Sequence, residues 1–210
     1  LSKWGQTGSS NGELDGPSGI AFDSEDNLYV VDSRNNRVQK FTKDGQFLAK
    51  WGQPGNGEGQ FNTPWGICLD HNGDVYVADW KNSRVQKFSP SGAFLAQFRG
   101  RESGVGELQL PSGVGVDSEG DVYVTDWGAN KVNIYRADGV FVASLVGDAE
   151  QPSPWAQTYI AANDDMVKAR RRAKMEPEWR FRRPVAVNVD AENRIYDSEA
   201  TRHRFQVYIK

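Results

Sequence analysis

Histidine and cysteine are nearly absent from this chain of 210 residues, which holds two of the first and one of the second. A single thiol, Cys68, allows no intrachain disulfide and assigns no redox compartment. His71 and His203 alone fall short of a three-histidine metal site. No apolar run approaches the ~20 residues that a membrane-spanning helix needs. An excess of one charge is also lacking: 25 Lys+Arg stand against 28 Asp+Glu, a net charge of −3. That balance argues against a dedicated whole-surface nucleic-acid binder. The chain begins at Leu1 and shows no signal peptide, so the expectation is that any targeting segment is absent or already removed.

Glycine is abundant, with 22 residues, and much of it marks a repeat. The segment Pro17–Gly52 recurs as Pro64–Gly100 and Pro111–Gly147, each copy 47 residues after the last. A worn fourth copy runs from Pro184 to Lys210. A fixed period of this length means one supersecondary unit used several times. In the first copy, apolar or alternating runs at 19–23, 28–31, 37–41 and 47–51 are separated by polar turns, the last of them Lys43-Asp44-Gly45. Four short strands joined by tight turns make an antiparallel meander.

The first two runs of each copy are near-continuous apolar blocks, as strands covered on both faces require. One sheet cannot provide that cover for itself. Stacking meanders around an axis does, and the result is a β-propeller. A sandwich for each copy would need more strands than 47 residues hold. The fold class read here is all-β: a single domain over 1–210, a propeller of four-stranded antiparallel blades. Leu1-Ser2-Lys3-Trp4-Gly5 matches Leu48-Ala49-Lys50-Trp51-Gly52, and the fourth copy stops after its third strand. The expectation is therefore that the N-terminal strand completes the last blade, with self-association if the ring does not close alone.

The motifs Pro-x-Gly-Ile-Ala-x-Asp, Leu-Tyr-Val-x-Asp, Asn-Arg-Val-Gln-Lys-Phe and Asp-Gly-x-Phe-Leu, with the connector 52–61, resemble the NHL repeat family. The resemblance covers nearly the whole chain outside one insertion. It implies a propeller, usually six-bladed, and some relatives that bind single-stranded RNA. Related six-bladed propellers also include metal-dependent lactonases and a zinc-dependent amidating lyase.

Each copy carries an acid five residues before a base: Asp32 and Arg37, Asp79 and Arg84, Asp126 and Lys131, Glu199 and Arg204. A catalytic group has no need to recur in every blade, so these read as structural ion pairs across the second turn. Asp26, Asp74 and Asp121 read as turn formers, since no loop concentrates acids at calcium-ligand spacing. The Gly-rich connectors 5–12, 52–59 and 100–106 open no helix after a strand, so they read as flexible crossings and not phosphate cradles. Cys68, between Ile67 and Leu69, reads as a small core residue.

In a meander the second turn and the blade-to-blade connector share one rim, here called the top. The copies differ most there. After the acid that ends strand two come Ser33, Trp80, Trp127 and Ala200; after the opening proline come Ser18, Trp65, Ser112 and Val185. Tryptophans at positions that are small elsewhere read as an aromatic platform for a partner. The connector from Leu145 to Pro184 takes 39 residues where the others take 13, which places an insertion at 148–183 on the same rim. Within it, 163–175 reads as a helix capped by Asn163 and ended before Pro177. The insertion carries Arg170, Arg171, Arg172 and Trp179 within a wider basic and aromatic cluster.

The partner-binding set expected from sequence is thus Trp65, Trp80, Trp127, Arg170, Arg171, Arg172 and Trp179. The function read is a non-catalytic scaffold that presents the top rim to a protein or peptide. The alternative is single-stranded RNA binding through the Arg-rich insertion. The weakest reading is a metal-dependent hydrolase or lyase. No catalytic residue, cofactor or metal ligand is assigned.

Overall fold

A computed structural model of the chain describes residues 4–100, 104–147, 161–162, 180–201 and 204–210. Fifteen strands follow the repeat. Blade 1 comprises β1 (Pro17–Phe22), β2 (Leu28–Asp32), β3 (Arg37–Phe41) and β4 (Phe47–Trp51). Blade 2 comprises β5 (Pro64–Leu69), β6 (Val75–Asp79), β7 (Arg84–Phe88) and β8 (Phe94–Phe98). Blade 3 comprises β9 (Pro111–Val116), β10 (Val122–Asp126), β11 (Lys131–Tyr135) and β12 (Phe141–Leu145). Blade 4 comprises β13 (Pro184–Val189), β14 (Arg194–Glu199) and β15 (Arg204–Ile209). Every sheet is an antiparallel meander in chain order, and the blades stand around a common axis with β1, β5, β9 and β13 innermost.

Three apolar layers hold the blades together. Tyr29, Val31 and Val38 of blade 1 meet Ile67, Val75, Val77 and Phe88 of blade 2. Tyr76, Ala78, Val85 and Phe98 meet Val114, Val122, Val124 and Tyr135 of blade 3. Tyr123 and Val132 meet Val187 and Ile195 of blade 4. Each connector adds one buried residue to the layer it crosses: Phe61, Leu108 and Phe181. Cys68 packs at the margin of the second layer, as expected of a small core residue, and burial pushes its thiol pKa up.

Close approach of the inner strands explains the glycine two residues after the opening proline in blades 1–3. A Cβ on Gly19 would lie 2.5 Å from the Trp65 carbonyl oxygen, and one on Gly66 2.6 Å from that of Ser112. On Gly113 it would lie 2.9 Å from the Val185 oxygen. Blade 4 has Ala186 at that position. The hairpin glycines serve the outer strands. Trp51 stacks over Gly92 beside Phe88, and Trp4 stacks over Gly45 beside Phe41 in the same way.

The last blade departs from expectation. Among the described residues it is a three-stranded sheet, and β15 pairs only with β14. Trp4 lies in no strand and packs on blade 1, where the outer strand of a preceding blade would sit. Among the described residues the expected completion of blade 4 is not formed, since Trp4 and Gly5 pair with none of its strands; residues 1–3 lie outside the described residues. Inner strands pack in the order β1, β5, β9, β13, without a matching junction of β13 on β1. The helix expected at 163–175 lies outside the described residues.

Each first turn is tied by an aspartate. Asp23 accepts from the backbone N–H of Glu25 and Asn27, and Asp70, Asp117 and Asp190 repeat the pattern. These residues form the turns, not the expected Asp26, Asp74 and Asp121, which stand three or four positions later. The second oxygen takes the tyrosine hydroxyl of strand two and a lysine, Lys40 or Lys87. Burial opposes ionisation of Asp23, but hydrogen bonds from Lys40 and Asn27 hold its pKa down to about 2. Blade 3 has Ile134 in place of that lysine, and Lys210 crosses from blade 4 to pair with Asp117, Glu119 and Asp121.

Asp197 is the local conflict in this scaffold. The other blades put Val30, Val77 or Val124 there. Both carboxylate oxygens of Asp197 are buried without a hydrogen-bond partner. Burial, with the nearby Glu199 charge, pushes its pKa up to about 8. An unfolded aspartate titrates near 4, so folded stability falls as pH rises from about 4 to about 8, by at most about 1.4 kcal/mol per pH unit. It is flat above that window. Asp197→Val is expected to raise the thermal midpoint, with a larger gain at pH 9 than at pH 5. Calorimetry of both proteins at the two pH values checks this.

Candidate functional site

The top rim is built on connectors that each following blade fastens. Asp32 Oδ1 accepts from the Asp15 N–H, while Oδ2 accepts from Arg37, Gln39 and Asn35. Arg37 then donates to the carbonyls of Ser9, Ser10 and Glu13 in the connector. Gln39 donates to Glu13 and accepts from Gly12. Blade 2 repeats the set with Asp79, Arg84, Gln86 and Asn82 on residues 55–62. The expected pairs are formed at 2.7 Å for Asp32 and Arg37, 2.9 Å for Asp79 and Arg84, and 2.8 Å for Glu199 and Arg204. These connectors are thus pinned strings of saturated carbonyls, which corrects the expectation of flexible crossings for 5–12 and 52–59.

Blade 3 solves the same problem differently. Asp126 and Lys131 face each other in the ladder, but the carboxylate accepts four backbone N–H groups, from Gln109, Leu110, Gly128 and Ala129. No ion pair joins it to Lys131, which corrects that expectation. Tyr135 and Asn133 reach the Gly106 carbonyl in place of the arginine. Lysine lacks the guanidinium fork that reaches a carboxylate and several carbonyls together.

On this frame stand the tryptophans. Trp65 is the second residue of β5 and is 39% exposed. Trp80 opens the 3₁₀ turn Trp80–Asn82, which follows Asp79, and Trp127 follows Asp126. Their rings touch edge to face, 5.1 Å apart for Trp65 and Trp80 and 6.2 Å for Trp80 and Trp127. The Arg183 guanidinium lies 4.6 Å over Trp127. With Ser112, Val185 and Ala200 the three rings line a largely apolar pocket of about 260 Å³. Six of the eight positions that differ between copies therefore surround one hollow, shared by blades 2, 3 and 4. The other two, Ser18 and Ser33, turn their hydroxyls to carbonyls of the neighbouring blade.

The remaining sequence candidates divide clearly. Arg170, Arg171, Arg172, Trp179 and His203 lie outside the described residues. His71 stands on the opposite rim, beside Asp70 and Asn72 in a separate hollow of about 260 Å³. Among the described residues, no cluster of three or more His, Cys, Asp or Glu side chains could hold a metal ion. Val185 lines the pocket and Arg183 stacks on one of its rings, Trp127; the alignment of copies gives Val185, whereas nothing in the sequence gives the stacking of Arg183.

The buried pairs make a sharp contrast testable. Arg84→Ala leaves Asp79 buried without its cation and is expected to cost about 3–5 kcal/mol. Lys131→Ala removes no pair and is expected to stay within about 0.5 kcal/mol. Urea unfolding of the two variants measures both.

Comparison with known proteins agrees with this construction. The NHL repeat model matches residues 14–41, 61–88 and 108–135. The second and third matches begin at the buried connector residues Phe61 and Leu108, the first at their part-buried counterpart Leu14, and each ends with a third strand. Protein lin-41 of Caenorhabditis elegans is 48% identical over 46 residues, which is 22% of this chain and 4% of that one. Among solved structures, a streptogramin B lyase superposes with a TM-score of 0.58 at 13% identity, over 93% of this chain and 55% of its own. A Bacteroides thetaiotaomicron protein of unknown function gives 0.61 at 20% identity, over 92% and 47%. Hydrazine synthase of Kuenenia stuttgartiensis gives 0.60 at 13%, over 96% and 47%. At such identities the likeness is one of fold, and the chain spans about half the length of these structures. The chain thus carries three NHL repeats, one on each of three successive blades of its β-propeller.

Proposed function

We propose that the chain is a non-catalytic binding module that captures a protein or peptide partner in the tryptophan pocket of its top rim. The observation that carries the reading is the convergence of Trp65, Trp80 and Trp127 on one apolar hollow from positions that are small in the other copies. Blade stability does not call for tryptophan there, since blade 1 has Ser18 and Ser33. A pocket of about 260 Å³ suits one or two large apolar side chains. Edge-to-face rings offer a rigid, low-entropy contact surface, the usual character of a binding hot spot. Arg183 at the margin adds a donor for a carboxylate or backbone carbonyl of the bound segment.

The test starts from small probes. N-acetyl-phenylalaninamide and N-acetyl-leucinamide, titrated into labelled protein, are expected to shift the indole N–H resonances of Trp65, Trp80 and Trp127 and to leave those of Trp4 and Trp51 in place. A peptide selected by display on the native protein should lose at least tenfold in affinity against the triple alanine variant, with the fold retained by circular dichroism. Probe shifts spread over all indoles, or full capture by the triple variant, would sink the reading. Retention of polyuridylate at low salt, abolished by neutralising Arg170–Arg172, would favour RNA instead.

A further inference from the structure

Charge on the top rim changes between the copies just where the tryptophans stand. On blade 1, Asp15 and Arg34 form an exposed ion pair at 3.1 Å. The backbone contact beneath it recurs in blade 2, where the Lys81 N–H donates to the Asn62 carbonyl as that of Arg34 does to Asp15. The acid does not recur. Asn62, Gln109 and Arg182 occupy the place of Asp15 in blades 2, 3 and 4. Lys81, next to Trp80, thus keeps the charge of Arg34 without its partner, and Arg182 reverses the sign. Both are exposed, and among the described residues neither has an ion pair.

Arg183 is set more deliberately. It has a left-handed backbone, φ 56°, where blade 1 has Gly16 at φ 62°. An arginine is strained there and a glycine is not. The conformation is clasped on both sides: the Arg183 N–H donates to Asn130 Oδ1, and its carbonyl accepts from the Ala200 N–H. The exposed side chain lies over Trp127, and among the described residues no carboxylate meets it. A guanidinium can lie against a ring and still offer its in-plane N–H fork to a carboxylate.

We infer that the segment captured is the carboxyl terminus of a partner chain, its last, large apolar side chain filling the tryptophan hollow and its α-carboxylate accepting hydrogen bonds from Arg183. The inference rests on the pocket reading above. One hollow beside one cation suits a residue that carries both groups on the same Cα. The next side chain of an extended segment points the other way, so a neighbouring acid would miss Arg183. A terminal residue also brings no onward peptide group into a largely apolar hollow that offers it few partners. A nucleobase would bury its polar edge there at the same cost. Lys81 and Arg182 add attraction for an anionic terminus.

Titration of labelled protein with N-acetyl-phenylalanine and with N-acetyl-phenylalaninamide, which differ only in the terminal charge, tests this apart from the pocket reading. Both probes should shift the indole resonances of Trp65, Trp80 and Trp127, and at low salt the acid should bind at least threefold tighter. That preference should shrink as salt is added. It should vanish in Arg183→Gln, and also in Arg183→Gly, which takes the blade 1 residue and relieves the backbone. Arg34→Gln, on blade 1, should keep it. Equal binding of the two probes overturns the inference and leaves the pocket reading standing, whereas indoles that neither probe moves remove both. An acid preference that survives Arg183→Gln also overturns it. So does N-acetyl-aspartyl-phenylalaninamide binding as tightly as N-acetyl-phenylalanine, which would place the acid on a side chain within a segment. Tighter binding of uridine monophosphate at the same indoles would give the site to RNA and overturn it as well.

Discussion

A sheet one layer thick with apolar side chains on both faces has no stable existence until both faces are covered. That constraint governs this protein. Valines and tyrosines fill strands two and three on alternate sides, so each blade needs a neighbour in front and another behind. Three internal junctions satisfy the demand, and the contrast between Ile67 and Ile20 shows what the demand amounts to at one position. Both pockets on the rims are by-products of the same packing. They occur where turns of neighbouring blades diverge above or below the shared apolar layer.

Polar chemistry is then arranged to hold the loops against that layer. A buried carboxylate gains nothing by itself, and desolvation alone would expel it. Asp32 and Asp79 persist because arginine, glutamine and asparagine side chains saturate them and extend to connector carbonyls. Blade 3 reaches the same end with backbone donors and a tyrosine, so the requirement is a satisfied anion and not a particular cation. Rigid connectors give the tryptophans fixed positions. A binding surface on loops is only as well defined as the hydrogen bonds beneath it.

Much of this was legible in the chain because the repeat is its own alignment. Strand order, turn positions and the pairs Asp32–Arg37, Asp79–Arg84 and Glu199–Arg204 all follow from comparing copies. So does the placing of Trp65, Trp80 and Trp127 on one rim, since Trp65 and Trp80 flank the same rim of one blade and Trp127 repeats Trp80 one 47-residue period later. The rest depended on quantities that pattern alone does not carry. Asp126–Lys131 has the right spacing but the wrong head group. Asp23 and Asp26 are both plausible turn acids until the N–H directions are known. The fate of the N-terminal segment depends on how far four blades wrap around the axis, and a sequence match between Leu1–Gly5 and Leu48–Gly52 is silent on curvature.

The polar networks also have a direction. Arg37 and Gln39 hold carbonyls that lie 24 to 28 residues earlier, and Arg84 and Gln86 do likewise. None of these clasps waits for a segment still to be made. On a ribosome, each one can fasten as soon as its own third strand emerges, with the preceding loop already in hand. The protein is thus suited to vectorial assembly, tightening stitch by stitch from its amino end.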